Sequence, residues 1–223
     1  QGGLISPILA NVYLHYVLDL WFEKCIKKQL YGEAYLVRFA DDFLIMFQYE
    51  RDAQRVYEAV IKRMELFGLE LSKEKTRILP FGRYSVSRET FDFLGFTHFN
   101  SKTRKGYYTV GHKISRKKKK QFKSNLKKWV KKNRDKQFDE FMKKLNKKLT
   151  GSFNYYSLSG MIREVRNLWN HAQYVTFKWL NRRSQRRSFK LERFYEIWND
   201  LIVHPYIHVD IWSGDKVIYN KNV

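Results

Sequence analysis

Residues 35–47 read YLVRFADDFLIMF, and this stretch decides the fold prediction. One apolar run leads into Asp41 and Asp42 and a second leads out, which predicts two short β-strands joined by a turn that carries both acids. Two carboxylates at the tip of an apolar hairpin repel each other, and a divalent cation would relieve that repulsion. Their hard oxygen atoms suit Mg²⁺. The alternative is a solvated Asp-Asp turn, because Asp is common in turns.

The composition excludes a disordered polycation and indicates a polyanionic partner. The chain has 223 residues, 43% of them hydrophobic, and a net charge of +22. Residues 112–200 hold 26 basic and 7 acidic side chains, so a charge of +19 lies in this part of the chain. This asymmetry indicates nucleic acid first and an anionic membrane second. The membrane interpretation is weaker, because the sequence has no lipidation signal and no long apolar run.

Cysteine and histidine usage predicts neither disulfides nor zinc. Cys25 is the only cysteine, and the histidines show no metal-ligand or nucleophile spacing. A reducing, cytoplasmic setting fits this pattern. The sequence has no initiator Met and no signal-type N-terminus. Because it begins inside a glycine-rich motif, we expect it to be the downstream part of a longer protein.

The first half of the sequence predicts helices packed on a small sheet. Ser6 followed by Pro7 indicates a helix that has Ser6 as its N-cap, runs to about residue 28 and packs against the sheet. A second helix is predicted after the hairpin, with Asp52 as its cap and Gly68 at its end. Short strands are predicted at 69–71 and within 73–79. The apolar stripe of the second helix consists of Val56, Val60, Met64 and Phe67.

The second half predicts a hairpin and then a helical bundle. Residues 91–99 and 106–110 are the two expected strands. After Gly111 three amphipathic stripes with basic opposite faces predict three packed helices. We therefore expect an α+β fold with domains at 1–111 and 112–223. The stripes consist of Phe122, Leu126, Trp129 and Val130; Phe138, Phe141, Met142, Leu145 and Leu149; and Ile162, Val165, Leu168, Trp169, Ala172, Val175, Trp179 and Leu180.

Five short motifs occur in an informative order. They are QGGLISP at 1–7, FADD at 39–42, FDFLGF at 91–96, LTGSFNYY at 149–156 and WLNRRSQ at 179–185. In this order they resemble the reverse transcriptases encoded by group II introns. That family has a Gln-Gly-Gly-x-x-Ser-Pro segment, a Tyr/Phe-Ala-Asp-Asp turn and a Leu-Gly-Phe strand before a basic thumb, also called the maturase domain. Each motif is weak alone, whereas their order and spacing are specific.

The resemblance implies an α+β fold: the later part of a polymerase palm, with a small antiparallel sheet and helices, and then an all-α thumb bundle. The implied activity is RNA-templated DNA synthesis from deoxynucleoside triphosphates with Mg²⁺, or Mn²⁺ as the alternative. The partners would be an RNA template and a DNA primer, or intron RNA, with no membrane. Asp41 would be the principal metal ligand and Asp42 the supporting one.

The family's third Asp comes from a strand upstream of the Gln-Gly-Gly motif, and this sequence does not contain that strand. Asp19, Asp52 and Asp92 lie in the wrong sequence context to replace it. We therefore expect the chain alone to lack a complete catalytic site and to need the missing N-terminal fingers and palm segment.

The resemblance also implies four nucleotide-binding residues, each with a structural alternative. Gln1 and Gly2 would form a loop close to the incoming nucleotide, where glycine permits close approach; an ordinary glycine turn is the alternative. Phe39 would lie near the nucleotide or primer end, or it is a core aromatic residue. Lys75 would face the leaving pyrophosphate, or it is a solvated surface lysine.

The nucleic-acid grip is expected in the β-hairpin and the thumb. By resemblance Leu94, Gly95 and Phe96 grip the primer; a sheet strand with glycine at a close contact is the alternative. The lysine and arginine residues of the thumb would bind phosphates. Most thumb aromatic residues sit on the apolar stripes and are expected in the core. The candidate binding residues are Lys117, Lys118, Lys119, Lys120, Arg182, Arg183, Arg186 and Arg187.

Two other functions remain open from the sequence. One is a maturase that binds structured intron RNA and helps it to fold, without polymerase activity. The Asp41–Asp42 pair favours the enzyme, because RNA binding alone does not need acids in a basic groove. The other is a reverse transcriptase of retron or defence type, which shares the palm motifs. The segment 179–185 favours the intron type.

Overall fold

The acids lie in a hairpin, as predicted. Strands β1 (Ala34–Phe39) and β2 (Asp42–Phe47) pair antiparallel, with Ala40 and Asp41 as the connection. The structure is a computed structural model that describes residues 3, 5–72, 74–183 and 188–206. Phe39 pairs with Asp42 and Ala34 with Phe47. Since side chains alternate along a strand, this register gives the hairpin one inward and one outward face.

The chain forms two compact units, residues 1–89 and 90–223. The two units confirm the α+β class, with a small antiparallel sheet region followed by helices. The strands after residue 90 belong to the second unit because Phe96 and Ile114 lie in the core of its helices. The assignment of residues 1–111 to the palm and 112–223 to the thumb stays a prediction about function.

The first predicted helix is confirmed in length and, for its later turns, in its packing against the sheet, but not in its start. Helix α1 (Ser6–Leu14) continues through two π-helical segments and a 3₁₀ turn to Gln29. Its N-cap is Ile5, so Ser6 is the first helical residue and makes no side-chain cap. The stretch 6–14 buries no residue; the later turns enter the core with Val17, Leu18, Phe22 and Ile26. Apolar composition alone did not reveal which turns face the sheet.

The second predicted helix is confirmed, but Asp52 is not its cap. Helix α2 (Glu50–Leu66) has Tyr49 as N-cap, and Val56, Val60 and Met64 are buried as predicted. The Asp52 side chain is buried, and its Oδ2 accepts hydrogen bonds from the amides of Tyr31 and Gly32, both at 3.0 Å. Asp52 therefore fixes the loop that leads into β1.

The strands predicted at 69–71 and within 73–79 are wrong for the residues that the structure describes there. The backbone hydrogen bonds at 72–76 form a turn: the amides of Lys75 and Thr76 both bond to the Ser72 carbonyl. A turn of this kind leaves no extended edge for pairing. Gly68 ends α2 as predicted, with φ of +67°.

The second unit begins with a three-stranded antiparallel meander, β3 (Thr90–Phe93), β4 (Phe96–Lys102) and β5 (Tyr108–Ile114). The single strand expected at 91–99 is thus two strands. The chain reverses at Leu94 and Gly95, which have φ of +50° and +83°. Two consecutive positive φ angles are typical of a tight hairpin turn.

Three helices coincide with the predicted stripes: α3 (Arg116–Asn133), α4 (Phe138–Tyr156) and α5 (Ile162–Leu180). A fourth, α6 (Leu191–Leu201), was not predicted and buries Phe194 and Trp198 in the same core. In the described part of the chain, no helix combines the length and apolarity needed to cross a membrane.

Replacing Asp52 with Ala should destabilise the first unit. The change removes the acceptor of two amides, and we expect the free energy of unfolding to fall by about 1–3 kcal/mol. Asp139→Ala is the matched control, because Asp139 is an exposed acid in the first turn of α4. Urea denaturation of both variants measures the difference, and equal effects would contradict the role given to Asp52.

Candidate active site and nucleic-acid surface

The two carboxylates at the hairpin tip are exposed and uncompensated. Asp41 lies in the turn and Asp42 begins β2. Neither side chain hydrogen-bonds or ion-pairs with any residue that the structure describes. Directly opposite residues of an antiparallel pair point to the same side, so Asp42 shares the outward face with Phe39. That face is apolar beyond the acids, with exposed Tyr35, Val37, Phe39 and Met46.

One guanidinium holds the backbone in front of Asp41. Arg38 Nε and Nη2 donate to the two carboxylate oxygens of Asp19 at 2.8 and 2.6 Å. Arg38 Nη1 donates to the Ala40 carbonyl at 2.8 Å and to Asn11 Oδ1 at 3.0 Å. Ala40 has φ of +53°, which an L-residue rarely adopts. We call these four residues the Arg38 clamp; it ties the turn to the first helix.

The clamp also sets the charge state of Asp19. The hydrogen bond from Arg38 holds the pKa of this carboxyl below its ordinary value, against the opposing effect of burial. The Arg38 side chain is only 12% exposed, so the pair is shielded on its basic side. Asp19 is therefore engaged as an anion within the fold.

Sequence reasoning gave Arg38 no role, although a signal was present. Arg38 follows Ala34 and Leu36 at intervals of two, so it occupies the inward phase of β1. A charged residue on the apolar face of a strand needs a buried partner. The sequence could have indicated that Arg38 needs a partner. It could not identify Asp19 as that partner, because the two residues are 19 positions apart.

The carboxylate oxygens of Asp41 and Asp42 are the type of ligand that a hard divalent cation prefers. Carboxylate oxygens are the ligands that Mg²⁺ takes in nucleotidyl-transfer sites. Among the described residues, no three His, Cys, Asp or Glu side chains form a group that could hold a metal. Asp19 is engaged by Arg38, Asp52 by loop amides, and Asp92 accepts a hydrogen bond from the Thr97 hydroxyl. Each of these three carboxylates therefore already accepts a hydrogen bond within its own unit.

The predicted nucleotide-binding residues are only partly described. Gln1 and Gly2 lie outside the described residues. Phe39 is 65% exposed, so the alternative of a core aromatic residue is wrong. Lys75 is exposed in the turn after α2 and forms no ion pair within the described part of the chain. Its proposed contact with pyrophosphate stays a prediction.

The predicted primer-grip residues form one tightly held turn in the second unit. The Leu94 carbonyl accepts a hydrogen bond from the Tyr155 hydroxyl at 2.6 Å, and the Gly95 carbonyl accepts one from the Ser115 amide at 3.0 Å. Phe96 stacks on Tyr155 with ring centroids 5.6 Å apart. The turn is thereby attached to the end of α4 and the start of α3.

A lysine of the basic run lies beside this turn. A Cβ at Gly95 would sit 3.5 Å from Lys118 Cγ, so the Lys118 stem passes the glycine closely. The sequence singled out the segment 94–96 and the lysine run separately, and the fold brings them together. Lys117, Lys118 and Lys120 are exposed, whereas Lys119 is paired with Glu164 of α5. Three of the four lysines are thus open to a polyanion.

The other predicted basic residues lie near the end of α5. Arg182 is exposed, Arg183 is half-buried, and Arg186 and Arg187 lie outside the described residues. The expectation that the thumb aromatic residues are core holds for Trp169, which is 7% exposed, but not for Tyr155, which is 53% exposed. The exposed Tyr155 ring stacks on Phe96, and its hydroxyl bonds to the turn at Leu94.

Two family comparisons match consecutive parts of the chain. Residues 1–98 are similar to the family described as reverse transcriptase (RNA-dependent DNA polymerase). Residues 119–196 are similar to the group II intron, maturase-specific domain. The first match contains the hairpin with both carboxylates, and the second spans most of α3 and all of α4 and α5. No individual curated protein matches the chain.

Acid should weaken the Arg38 clamp selectively. Because the folded-state pKa of Asp19 lies below its unfolded value, the stabilisation is complete above about pH 4 and is lost as the pH falls through the folded pKa. In urea titrations followed by the amide signals of β1 and β2, Asp19→Asn should lower the midpoint at neutral pH. It should also flatten the acid decline.

Asp139→Asn is the control for this titration, because Asp139 is exposed and forms no ion pair within the described residues. It should keep the acid decline of the wild-type chain. An undiminished decline in Asp19→Asn would assign the acid sensitivity to other carboxylates.

Proposed function

The chain belongs to the reverse transcriptase and maturase family of group II introns, and from that premise we propose that it serves RNA-directed DNA synthesis. The observation that carries the proposal is the pair of exposed, uncompensated carboxylates at the hairpin tip within the reverse transcriptase match. Asp41 and Asp42 are the residues that would hold Mg²⁺, or Mn²⁺, at the reacting phosphate. The substrates are deoxynucleoside triphosphates, with RNA as template and DNA as primer.

The proposed chemistry is nucleotidyl transfer at two metal ions. When bound, the ions lower the pKa of the primer 3′ hydroxyl and neutralise the leaving pyrophosphate. The chain's own residues keep the two carboxylates oriented: the Arg38 clamp restrains the carbonyl just before Asp41. Phe39, on the same face as Asp42, offers an apolar surface to the sugar or base of the nucleotide. A further carboxylate would come from the upstream segment that the family resemblance implies.

Nucleic-acid binding is proposed for the second unit. Its exposed lysines Lys117, Lys118 and Lys120 lie at the start of α3, and Lys118 passes the turn of Leu94 and Gly95. Phosphates near this turn would be contacted without reading of the bases. The arrangement suits a grip on the primer strand beside a fixed hairpin turn.

A maturase that binds intron RNA without synthesis is the second candidate. The match to the maturase-specific domain and the charge of +19 in residues 112–200 favour it. The polymerase remains preferred, because RNA binding is opposed and not helped by two unpaired acids at a hairpin tip. The two functions can also be carried by one protein.

Replacing Asp41 with Asn should abolish primer extension. The experiment uses the protein that carries this chain together with the upstream segment implied by the resemblance. Extension should be lost because a neutral amide is a weaker ligand for Mg²⁺, while RNA affinity should change little. Asp139→Asn serves as control and should extend normally. If Asp41→Asn still extends a primer on an RNA template, the metal assignment fails. A wild-type protein that binds intron RNA but extends no primer would instead support the maturase.

A quadruple Lys→Gln variant of the α3 run should show a weaker salt dependence of RNA binding. The replaced residues are Lys117, Lys118, Lys119 and Lys120. Each lost phosphate contact lowers the slope of log affinity against log salt by roughly 0.7–0.9, and we expect a drop of about two, because Lys119 is paired with Glu164. Fluorescence anisotropy over a salt series gives the slope.

A matched control exists on α4. Lys143, Lys144, Lys147 and Lys148 are also exposed, and one of them, Lys144, is ion-paired, with Glu140. Their replacement by Gln should leave the slope nearly unchanged. An equal drop in both quadruple variants would show that the lysines of α3 contribute only general charge.

A further inference from the structure

Three cations from two helix ends surround one indole ring in the second unit. Lys131 Nζ lies 5.5 Å from the ring centroid of Trp179, and the guanidinium carbons of Arg134 and Arg182 lie 5.6 and 5.7 Å from it. Arg134 Nη1 also donates to the Arg182 carbonyl at 3.0 Å, which joins the end of α3 to the end of α5. We call these four residues, together with Arg183, the Trp179 cluster.

The cluster carries four positive charges with little internal compensation. Asp135 is the acid beside it; its Oδ1 lies 3.7 Å from Arg134 Nε, and its side chain is 72% exposed. Like charges held this close repel each other. The indole ring attracts cations through its electron-rich face, but it leaves their charge intact. The fold therefore concentrates positive charge at one point of the surface.

Several guanidinium N–H groups of the cluster also lack acceptors. The buried Nε of Arg134 and the buried Nε and Nη2 of Arg183 have no hydrogen-bond partner among the described residues. Burial lowers the pKa of Arg183, which reflects the cost of keeping this charge away from water. Unpaired buried donors are costly, so the cluster is short of hydrogen-bond acceptors as well as of negative charge. An anion with several oxygens supplies both kinds of compensation.

We propose that the Trp179 cluster binds one phosphate group of an RNA backbone. The flat guanidinium forks of Arg134, Arg182 and Arg183 suit the oxygens of a phosphodiester, and Lys131 adds a point charge from the neighbouring helix. Contact with the Trp179 ring restrains the side chains of Lys131, Arg134 and Arg182 before the ligand arrives, so less entropy is lost on binding. The site rests on the proposed RNA-binding function and specifies one fixed contact within it.

The competing role for these residues is cation–π packing alone. In that role the charges cover the indole ring, and no anion is needed. A packing role predicts loss of stability when the charges are removed, with no particular effect on the number of phosphates bound. Lys131 and Arg182 are both exposed, so their replacement tests the anion role with little disturbance of the core.

The test compares two double variants of the chain in RNA-binding titrations over a salt series. Lys131→Gln with Arg182→Gln removes two charges from the cluster; Lys143→Gln with Lys147→Gln removes two exposed charges from α4. The probe is a short RNA–DNA hybrid with a fluorescent end label. We expect the cluster variant to lower the slope of log affinity against log salt by roughly 0.7–0.9, the loss of one phosphate, with no change in the control variant.

Arg182→Lys separates fork geometry from charge. It should weaken binding with an unchanged salt slope, because lysine keeps the charge and loses the paired donors. Inorganic phosphate at constant ionic strength should not displace the RNA, because one ion cannot replace the many contacts of the polymer. Efficient displacement would assign the site to a free ion and overturn the proposal.

The remaining outcomes are also decisive. Equal slopes in the cluster variant and the wild-type chain, or equal drops in the two double variants, would overturn the phosphate site and leave the proposed function intact. A wild-type chain that does not bind the hybrid would overturn both. This test measures RNA binding and not primer extension. The polymerase assignment is tested separately, by the Asp41→Asn variant.

Discussion

The placement of the carboxylate turn depends on one guanidinium. Two adjacent acids at a hairpin tip gain nothing from the fold itself: they are exposed, they repel each other, and the residue before them has a positive φ of +53°. Arg38 offsets this cost by bonding the Ala40 carbonyl while its other donors are held by Asp19 and Asn11 of the first helix. The turn is thereby rigid on its protein side and open on its solvent side. Such an arrangement suits the proposed metal site, in which the ion's other ligands would come from the substrate and from the upstream segment.

In the second unit the main physical constraint is the accumulation of positive charge. Its helices bury one continuous apolar core, and the basic residues are left on the outer faces. Local pairing reduces the repulsion only in places, as between Lys119 and Glu164 or Lys144 and Glu140. Elsewhere indole and phenol rings lie under the cations, as Trp179 and Tyr174 do. A folded surface with this much unpaired charge is stabilised further by a polyanion.

The hairpin between β3 and β4 connects the fold of the second unit to its proposed use. Its turn has positive φ at Leu94 and Gly95, and only glycine adopts that conformation without cost. The Tyr155 hydroxyl and the Ser115 amide hold the two carbonyls of the turn. Because Lys118 follows Ser115 within the first turn of α3, the same element that fixes the turn also presents a cation beside it. Rigidity and charge at this point therefore have one structural origin.

The sequence by itself determined the family, the α+β class, the hairpin with Asp41 and Asp42, and the three helices after residue 115. These features follow from local patterns, namely apolar periodicity and short motifs, which need no knowledge of distant neighbours. Only the tertiary structure decided which polar groups are paired. Asp52 serves loop amides instead of its own helix, Arg38 reaches Asp19 and Asn11, and Lys119 is neutralised by Glu164. The cations around Trp179 come from residues almost 50 positions apart, as the Arg134–Arg182 hydrogen bond shows. Hydrogen bonds and ion pairs between side chains far apart in sequence have no periodicity to reveal them, so they become visible only when packing brings the helices and strands together.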